Sequence, residues 1–177
     1  MRQVVLLRGI NLGARNRIAM SELRELLTSA GFVDVHTYLQ SGNVVLGSDV
    51  STEQLARECE RQIKDAFGLA IAVVVRTRDE LAEVVRRNPL GGVALEPKRY
   101  QVSFCSAELD HEVLRKLEQR AVAPERFLAV GRELYAWHPH GVARSKLWTQ
   151  LAGKGLGVTA TARNWTTVTS LLELADQ

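Results

Sequence analysis

Two successive stretches of the chain carry the same order of predicted strands and helices, and this repetition limits the fold more than any other feature. Apolar runs and alternations typical of strands are interleaved with apolar residues at helical spacing. The order is strand, helix, strand, strand, helix, strand over residues 1–77, and it recurs over residues 98–162. The two stretches share little residue identity, so the repetition rests on element order.

Turn and capping signals set the boundaries of these elements. Ser51 with Gln54 and Thr77 with Glu80 form capping boxes, each of which opens a helix. Asp110 and Asn164 are predicted N-caps. The predicted strands and hairpins are Val4–Leu7, Val33–Leu39 turning at Ser41–Asn43 into Val44–Leu46, Ile71–Val75, Tyr100–Ser106, Phe127–Val130 turning into Leu134–Trp137, and Gly155–Thr161.

Two consecutive β-α-β-β-α-β units are typical of the ferredoxin-like fold. We therefore predict a duplicated α+β protein with antiparallel sheets. Its first ferredoxin-like half spans residues 1–77, a linking helix and connector span 78–97, and the second half with a C-terminal helix spans 98–177.

Composition points to a globular chain in a reducing compartment. Of the 177 residues, 46% are hydrophobic and 24% are charged, which is ordinary for a folded domain. No apolar run approaches the ~20 residues that span a bilayer, and the N-terminus lacks the apolar core of a signal peptide. The two cysteines, Cys59 and Cys105, form no disulfide framework, so we expect buried thiols in a cytoplasmic protein without a membrane partner.

Five segments of the chain resemble the sequence motifs of a known bacterial family. The segments are Leu6–Gly13, Thr37–Asn43, Asn88-Pro89, Ser145–Leu147 and Ala160–Val168. Together these segments are similar to domain of unknown function family 1697, with Ala14 and Thr166 as small departures. The resemblance implies a duplicated α+β protein built from ferredoxin-like halves, and it implies no catalytic role.

Charge is unevenly distributed along the chain. No Asp or Glu precedes Glu22, although four arginines do, and none lies between Glu133 and Glu173. If these two segments meet, they form a positive surface suited to phosphate or carboxylate. A solvated basic face without a partner is the alternative.

Polar and basic residues at predicted strand ends and loops are the candidate binding residues. The arginines and the lysine would neutralise phosphate, and the amides and the serine would fix its orientation. Arg8 and Asn43 also have structural interpretations, as a charge paired near the core and as a hairpin residue. The predicted ligand-binding residues are Arg8, Asn11, Gln40, Ser41, Asn43, Arg76, Lys146 and Arg163.

Other motifs are weak. His138 and His140 have no Cys or acidic residue close in sequence, so we expect no metal site. Loop 11–17 lacks the Gly-Lys-Ser/Thr of a Walker A loop, and Gly153–Gly157 is better explained as a helix end. We expect no cofactor.

Aromatic residues on predicted strands raise the question of base stacking, as in RNA-recognition motifs. Tyr100 and Phe104 alternate with polar residues, as part of an apolar face. This alternation favours core packing over base stacking.

Three functions remain open at this point. The leading hypothesis is a protein that binds an anionic ligand, either a phosphorylated small molecule or nucleic acid. The second is a transferase or hydrolase acting on a phosphorylated compound, with a histidine as general base. The third is a protein-interaction module without a ligand, which would use the edges of its sheets.

Overall fold

The computed structural model describes all of residues 1–177, which divide into two compact units. The first unit comprises residues 1–83 and 170–177, and the second comprises residues 84–169. The predicted boundaries of the two halves, at residues 77 and 98, stay predictions. They rest on the repeated order of elements in the sequence, whereas the two units are defined by contacts between residues.

The first unit has the predicted element order. Its sheet runs β2-β3-β1-β4, and all three strand pairs are antiparallel. The helices α1 and α2 cover one face of it through a core that includes Val5, Leu27 and Ile63. The elements are β1 (Arg2–Leu7), α1 (Met20–Ser29), β2 (Val33–Tyr38), β3 (Asn43–Gly47), α2 (Thr52–Phe67) and β4 (Val73–Thr77), followed by α3 (Arg78–Arg87), which continues into the second unit.

The second unit repeats this topology. Its sheet runs β6-β7-β5-β8, again antiparallel throughout, so each sheet is built from four consecutive strands. A core including Leu117, Leu134 and Leu147 joins the sheet to its helices. The elements are a 3-10 turn (Pro97–Arg99), β5 (Tyr100–Cys105), α4 (His111–Arg120), β6 (Arg126–Val130), β7 (Glu133–Trp137), α5 (Lys146–Ala152), β8 (Ala160–Asn164) and α6 (Trp165–Ala175), whose end belongs to the first unit. The predicted α+β class with duplicated β-α-β-β-α-β units is confirmed.

The inner strands of both sheets are buried on both faces. Every residue of β3 is buried, and in β1 only Arg2 is partly exposed. In β5, Tyr100 and Phe104 are each 1% exposed, which confirms their core packing and leaves their faces unavailable to bases. Tyr100 stacks on Trp165 with ring centroids 4.8 Å apart, and its hydroxyl oxygen accepts a hydrogen bond from the Leu90 amide.

The predicted capping boxes are confirmed. Ser51 Oγ accepts from the Gln54 amide while Gln54 Oε1 accepts from the Ser51 amide, and Thr77 and Glu80 make the same exchange. Asn164 Oδ1 caps α6 by accepting from the Thr167 amide. Asp110 holds the N-cap position of α4, but its side chain makes no capping hydrogen bond.

Two predicted strands are displaced along the chain. The run Ile71–Val75 is only partly strand, because β4 begins at Val73. The last strand lies at Ala160–Asn164, beyond the predicted Gly155–Thr161. Gly155 and Gly157 have positive φ values of 111° and 79°, a conformation that an extended ladder does not accommodate.

No helix of the structure combines the length and the apolar character needed to cross a membrane. Cys59 and Cys105 are free thiols and are buried, as predicted.

The Gly42 turn provides a test of the first unit's packing. Gly42 has φ +89°, and an added Cβ would lie 2.7 Å from Ile10 Cδ1 and 2.8 Å from Leu7 Cβ. We expect Gly42→Ala to destabilise the protein by about 2–4 kcal/mol, from the left-handed backbone and from overpacking together. Gly9 (φ +68°) has open space around it, so Gly9→Ala should cost only about 1–2 kcal/mol. Urea unfolding of both variants measures the difference, and equal losses would contradict the packing.

Thiol reactivity tests the burial of the cysteines. Burial, with smaller contributions from the neighbouring charges of Glu58 and Glu60, raises the pKa of the Cys59 thiol to about 12. Since the thiolate is the reactive form, raising the pH from about 7 to about 9 should leave the native protein unreactive toward Ellman's reagent. Both thiols should react after unfolding in guanidinium. A thiol that reacts in the native protein at the higher pH would contradict this burial.

Candidate functional site

Five of the predicted binding residues lie where two loops of the first unit meet. The Leu7 amide at the end of β1 donates to the Gly42 carbonyl (2.9 Å). The side-chain amide of Asn11 donates to the Gln40 carbonyl (2.7 Å). The structure therefore brings together Arg8, Asn11, Gln40, Ser41 and Asn43.

The two asparagines of this group hold the loops in shape. Asn11 Nδ2 also donates to the Ile18 carbonyl, and its Oδ1 accepts from the Ile18 amide, both at 2.9 Å. Asn43 is fully buried, and its Nδ2 donates to the Tyr38 carbonyl and to Ser41 Oγ. The side-chain amides of Asn11 and Asn43 thus form their hydrogen bonds with other groups of the protein.

Two predicted cations, Arg76 and Arg163, are buried within the sheets. Arg76 in β4 is 1% exposed, and its Nη1 donates to the Val75 carbonyl. Arg163 in β8 is 7% exposed, and its Nη1 donates to Thr161 Oγ1 (2.7 Å) and to the Ala162 carbonyl (2.8 Å). Burial lowers the pKa of Arg163 to about 10. Their guanidinium groups are occupied by protein oxygens rather than presented on the surface.

Lys146 lies on the rim of a cavity of about 580 Å³ within the second unit. The cavity is bounded by the end of α4, the segment before β6 and the loop that leads from β7 into α5. Its lining residues are Arg120, Val122, Ala123, Pro124, Glu125, His140, Gly141, Ala143, Arg144, Ser145 and Lys146.

The cavity carries an excess of positive charge. Arg120, Arg144 and Lys146 are exposed cations, and none of them pairs with a carboxylate. Glu125 is the one acidic residue in the lining. Since arginine and lysine bind phosphate and carboxylate groups through charge-assisted hydrogen bonds, this surface is chemically suited to an anion.

Glu125 is held by a buried hydrogen-bond network. Its Oε2 lies 2.6 Å from His138 Nδ1 and 2.6 Å from Ser145 Oγ. The Ser145 hydroxyl donates to Glu125, and its oxygen accepts from the Trp148 amide (3.0 Å), which caps α5. His138 is 0% exposed, so both donors to the carboxylate come from well-packed positions.

This network differs from a catalytic triad in its geometry. The carboxylate accepts from His138 Nδ1, so that nitrogen carries the proton, and Nε2 is buried without a hydrogen-bond partner. A nucleophilic serine would lie at Nε2, whereas Ser145 Oγ lies on the Nδ1 side at 3.4 Å. The arrangement fixes the carboxylate instead of activating the hydroxyl. No group of three His, Cys, Asp or Glu side chains is placed to hold a metal ion.

Glu125 and Arg120 line the cavity but are not among the residues predicted from the sequence, although the sequence holds one signal for Glu125. The predicted hairpin has a two-residue turn, and its register pairs Val130 with Glu133 and Arg126 with Trp137. One further step outward places Glu125 opposite His138. The acidic partner of His138 therefore lies across the hairpin rather than close in sequence.

The Ser145 bonds give a stability prediction with a matched control. Ser51 and Ser145 are both N-cap serines, but only Ser145 also donates to a carboxylate. We expect Ser51→Ala to cost about 1 kcal/mol through loss of the cap, and Ser145→Ala to cost about 1.5–3 kcal/mol more, since a hydrogen bond to a charged group is also lost. Chemical unfolding of the two variants measures this, and equal losses would contradict the network.

Comparison with solved structures finds the same fold. The structure of conserved bacterial protein SP0830 from Streptococcus pneumoniae matches with a TM-score of 0.75 and 23% sequence identity, over 98% of this chain and 98% of that chain. At this identity the likeness shows the fold alone. None of the curated proteins matches this chain.

The family comparison agrees with the motif resemblance. A family model described as "Protein of unknown function (DUF1697)" matches residues 1–135. The match covers all four strands of the first sheet and reaches into β7 of the second. The chain belongs to this family of proteins of unknown function.

Proposed function

We propose that the protein binds a phosphorylated small molecule in the cavity of its second unit. The observation that carries the proposal is the cavity of about 580 Å³ lined by Arg120, Arg144 and Lys146. Its volume lies in the range of small-molecule sites, about 300–1,000 Å³. Three cations without a carboxylate partner would attract an anionic group there.

The remaining lining supports a ligand with a non-anionic portion. Val122, Ala123, Pro124 and Ala143 provide apolar surface beside the charged residues. A phosphate ester would place its phosphate against the cations and its organic part against these side chains. A concave site of this kind favours a small molecule over nucleic acid, whose backbone needs an extended basic track.

Among the residues predicted from the sequence, the proposal gives a ligand-contacting role to Lys146. Arg8, Asn11, Gln40 and Ser41 belong to the loops of the first unit, Asn43 begins β3, and Arg76 and Arg163 lie within the sheets. His140 and Arg144 are added to Lys146 from the same acid-free stretch of sequence.

Calorimetric titration with phenyl phosphate tests the proposal. It supplies a phosphate and an apolar group, and we expect saturable binding that is weakened at least about tenfold by Lys146→Ala or Arg144→Ala, since each loses a charge-assisted hydrogen bond. Lys154→Ala is the matched control, because Lys154 is an exposed lysine of the same unit that does not line the cavity. It should bind like the unmodified protein.

Two outcomes would contradict the proposal. In the first, Lys154→Ala weakens binding as much as Lys146→Ala, which would indicate a general effect of net charge. In the second, single-stranded oligonucleotides bind more tightly than phenyl phosphate and lose binding as salt is raised, which would indicate a basic nucleic-acid surface.

A further inference from the structure

We propose that the ligand is a phosphate ester that carries hydroxyl groups, and that Glu125 recognises one of them. This inference rests on the proposed function and adds the class of ligand. It follows from the second oxygen of the Glu125 carboxylate, which the buried network does not use.

Glu125 uses one carboxylate oxygen within the protein and leaves the other accessible. Oε2 accepts the hydrogen bonds from His138 and Ser145, whereas Oε1 accepts none. The side chain keeps 14% exposure and lines the cavity, and Oε1 is not among the buried unsatisfied atoms. Oε1 is therefore an accessible acceptor on the cavity wall.

The network fixes the direction of this acceptor. His138 is fully buried, and its amide donates to the Arg99 carbonyl (3.0 Å). Ser145 is 8% exposed and is tied to the Trp148 amide. Because His138 and Ser145 hold Oε2 at 2.6 Å, the carboxylate loses little side-chain entropy when a ligand donor reaches Oε1.

A fixed carboxylate changes which anions such a cavity accepts. It repels a ligand that offers only negative charge. Contact with a purely apolar group is also unfavourable, because the carboxylate loses its hydrogen bonds to water and gains none in exchange. A hydroxyl group can donate to Oε1 while the phosphate lies against Arg120, Arg144 or Lys146. The cavity should therefore prefer a sugar or polyol phosphate over inorganic phosphate and over an aryl phosphate.

Competitive titration of ribose 5-phosphate against phenyl phosphate tests the inference. Both are phosphate monoesters, but only the first carries hydroxyl groups. We expect the unmodified protein to bind ribose 5-phosphate at least about tenfold more tightly, because a hydrogen bond to a charged acceptor is gained.

Glu125→Gln provides the decisive variant. Its amide oxygen can replace Oε2 toward His138 and Ser145, which turns an uncharged NH₂ group toward the cavity. We expect this variant to bind phenyl phosphate at least as well as before and to lose the preference for ribose 5-phosphate to within about threefold. Thermal unfolding of the variant in the absence of ligand reports whether the network persists.

The outcomes separate this inference from the proposed function. Equal binding of the two esters by the unmodified protein would overturn the inference and leave the anion site standing. Equal loss of both esters in Glu125→Gln, with a lowered melting temperature, would assign Glu125 a structural role and also overturn it. If neither ester nor inorganic phosphate binds the unmodified protein, the proposed function fails and the inference fails with it.

Discussion

One carboxylate oxygen, Glu125 Oε2, holds the candidate site together. It accepts hydrogen bonds from His138 at the end of β7 and from Ser145 at the start of α5, both at 2.6 Å. Glu125 itself immediately precedes β6. These two bonds therefore fix the segments that carry the cavity's lining, and the bond from His138 compensates part of the cost of burying its imidazole.

The burial of the sheets explains why the charged groups of the cavity lie in loops and at the ends of helices. The inner strands of both units are covered on both faces, so they present almost no side chains to a ligand. On the edge strand β8, the guanidinium of Arg163 also stays within the protein, donating to a threonine hydroxyl and to a backbone carbonyl of the same strand. Exposed cations such as Lys146 are left at the ends of elements, where scaffolds of this type present functional groups.

The sequence predicted the fold well because periodicity and caps are local signals. The duplicated element order, the Ser51 and Thr77 capping boxes and the hairpin turn at Gly131 all appear in the structure. The site was harder to predict, because it depends on register and tertiary packing. Lys146 lies in the acid-free stretch of the sequence and lines the cavity, whereas Arg120 reaches the cavity from α4, and no local sequence pattern indicates that.

Histidine-resolved NMR during a titration with ribose 5-phosphate shows whether a phosphate ester occupies the cavity of the second unit. His140 lines the cavity, while His111 begins α4 at the opposite end from Arg120, about 14 Å away along the helix. We expect saturable shifts of the His140 ring resonances and unchanged His111 resonances. Shifts of both rings that rise together without saturating, or a His140 signal that does not respond, would contradict a phosphate-ester site in this cavity.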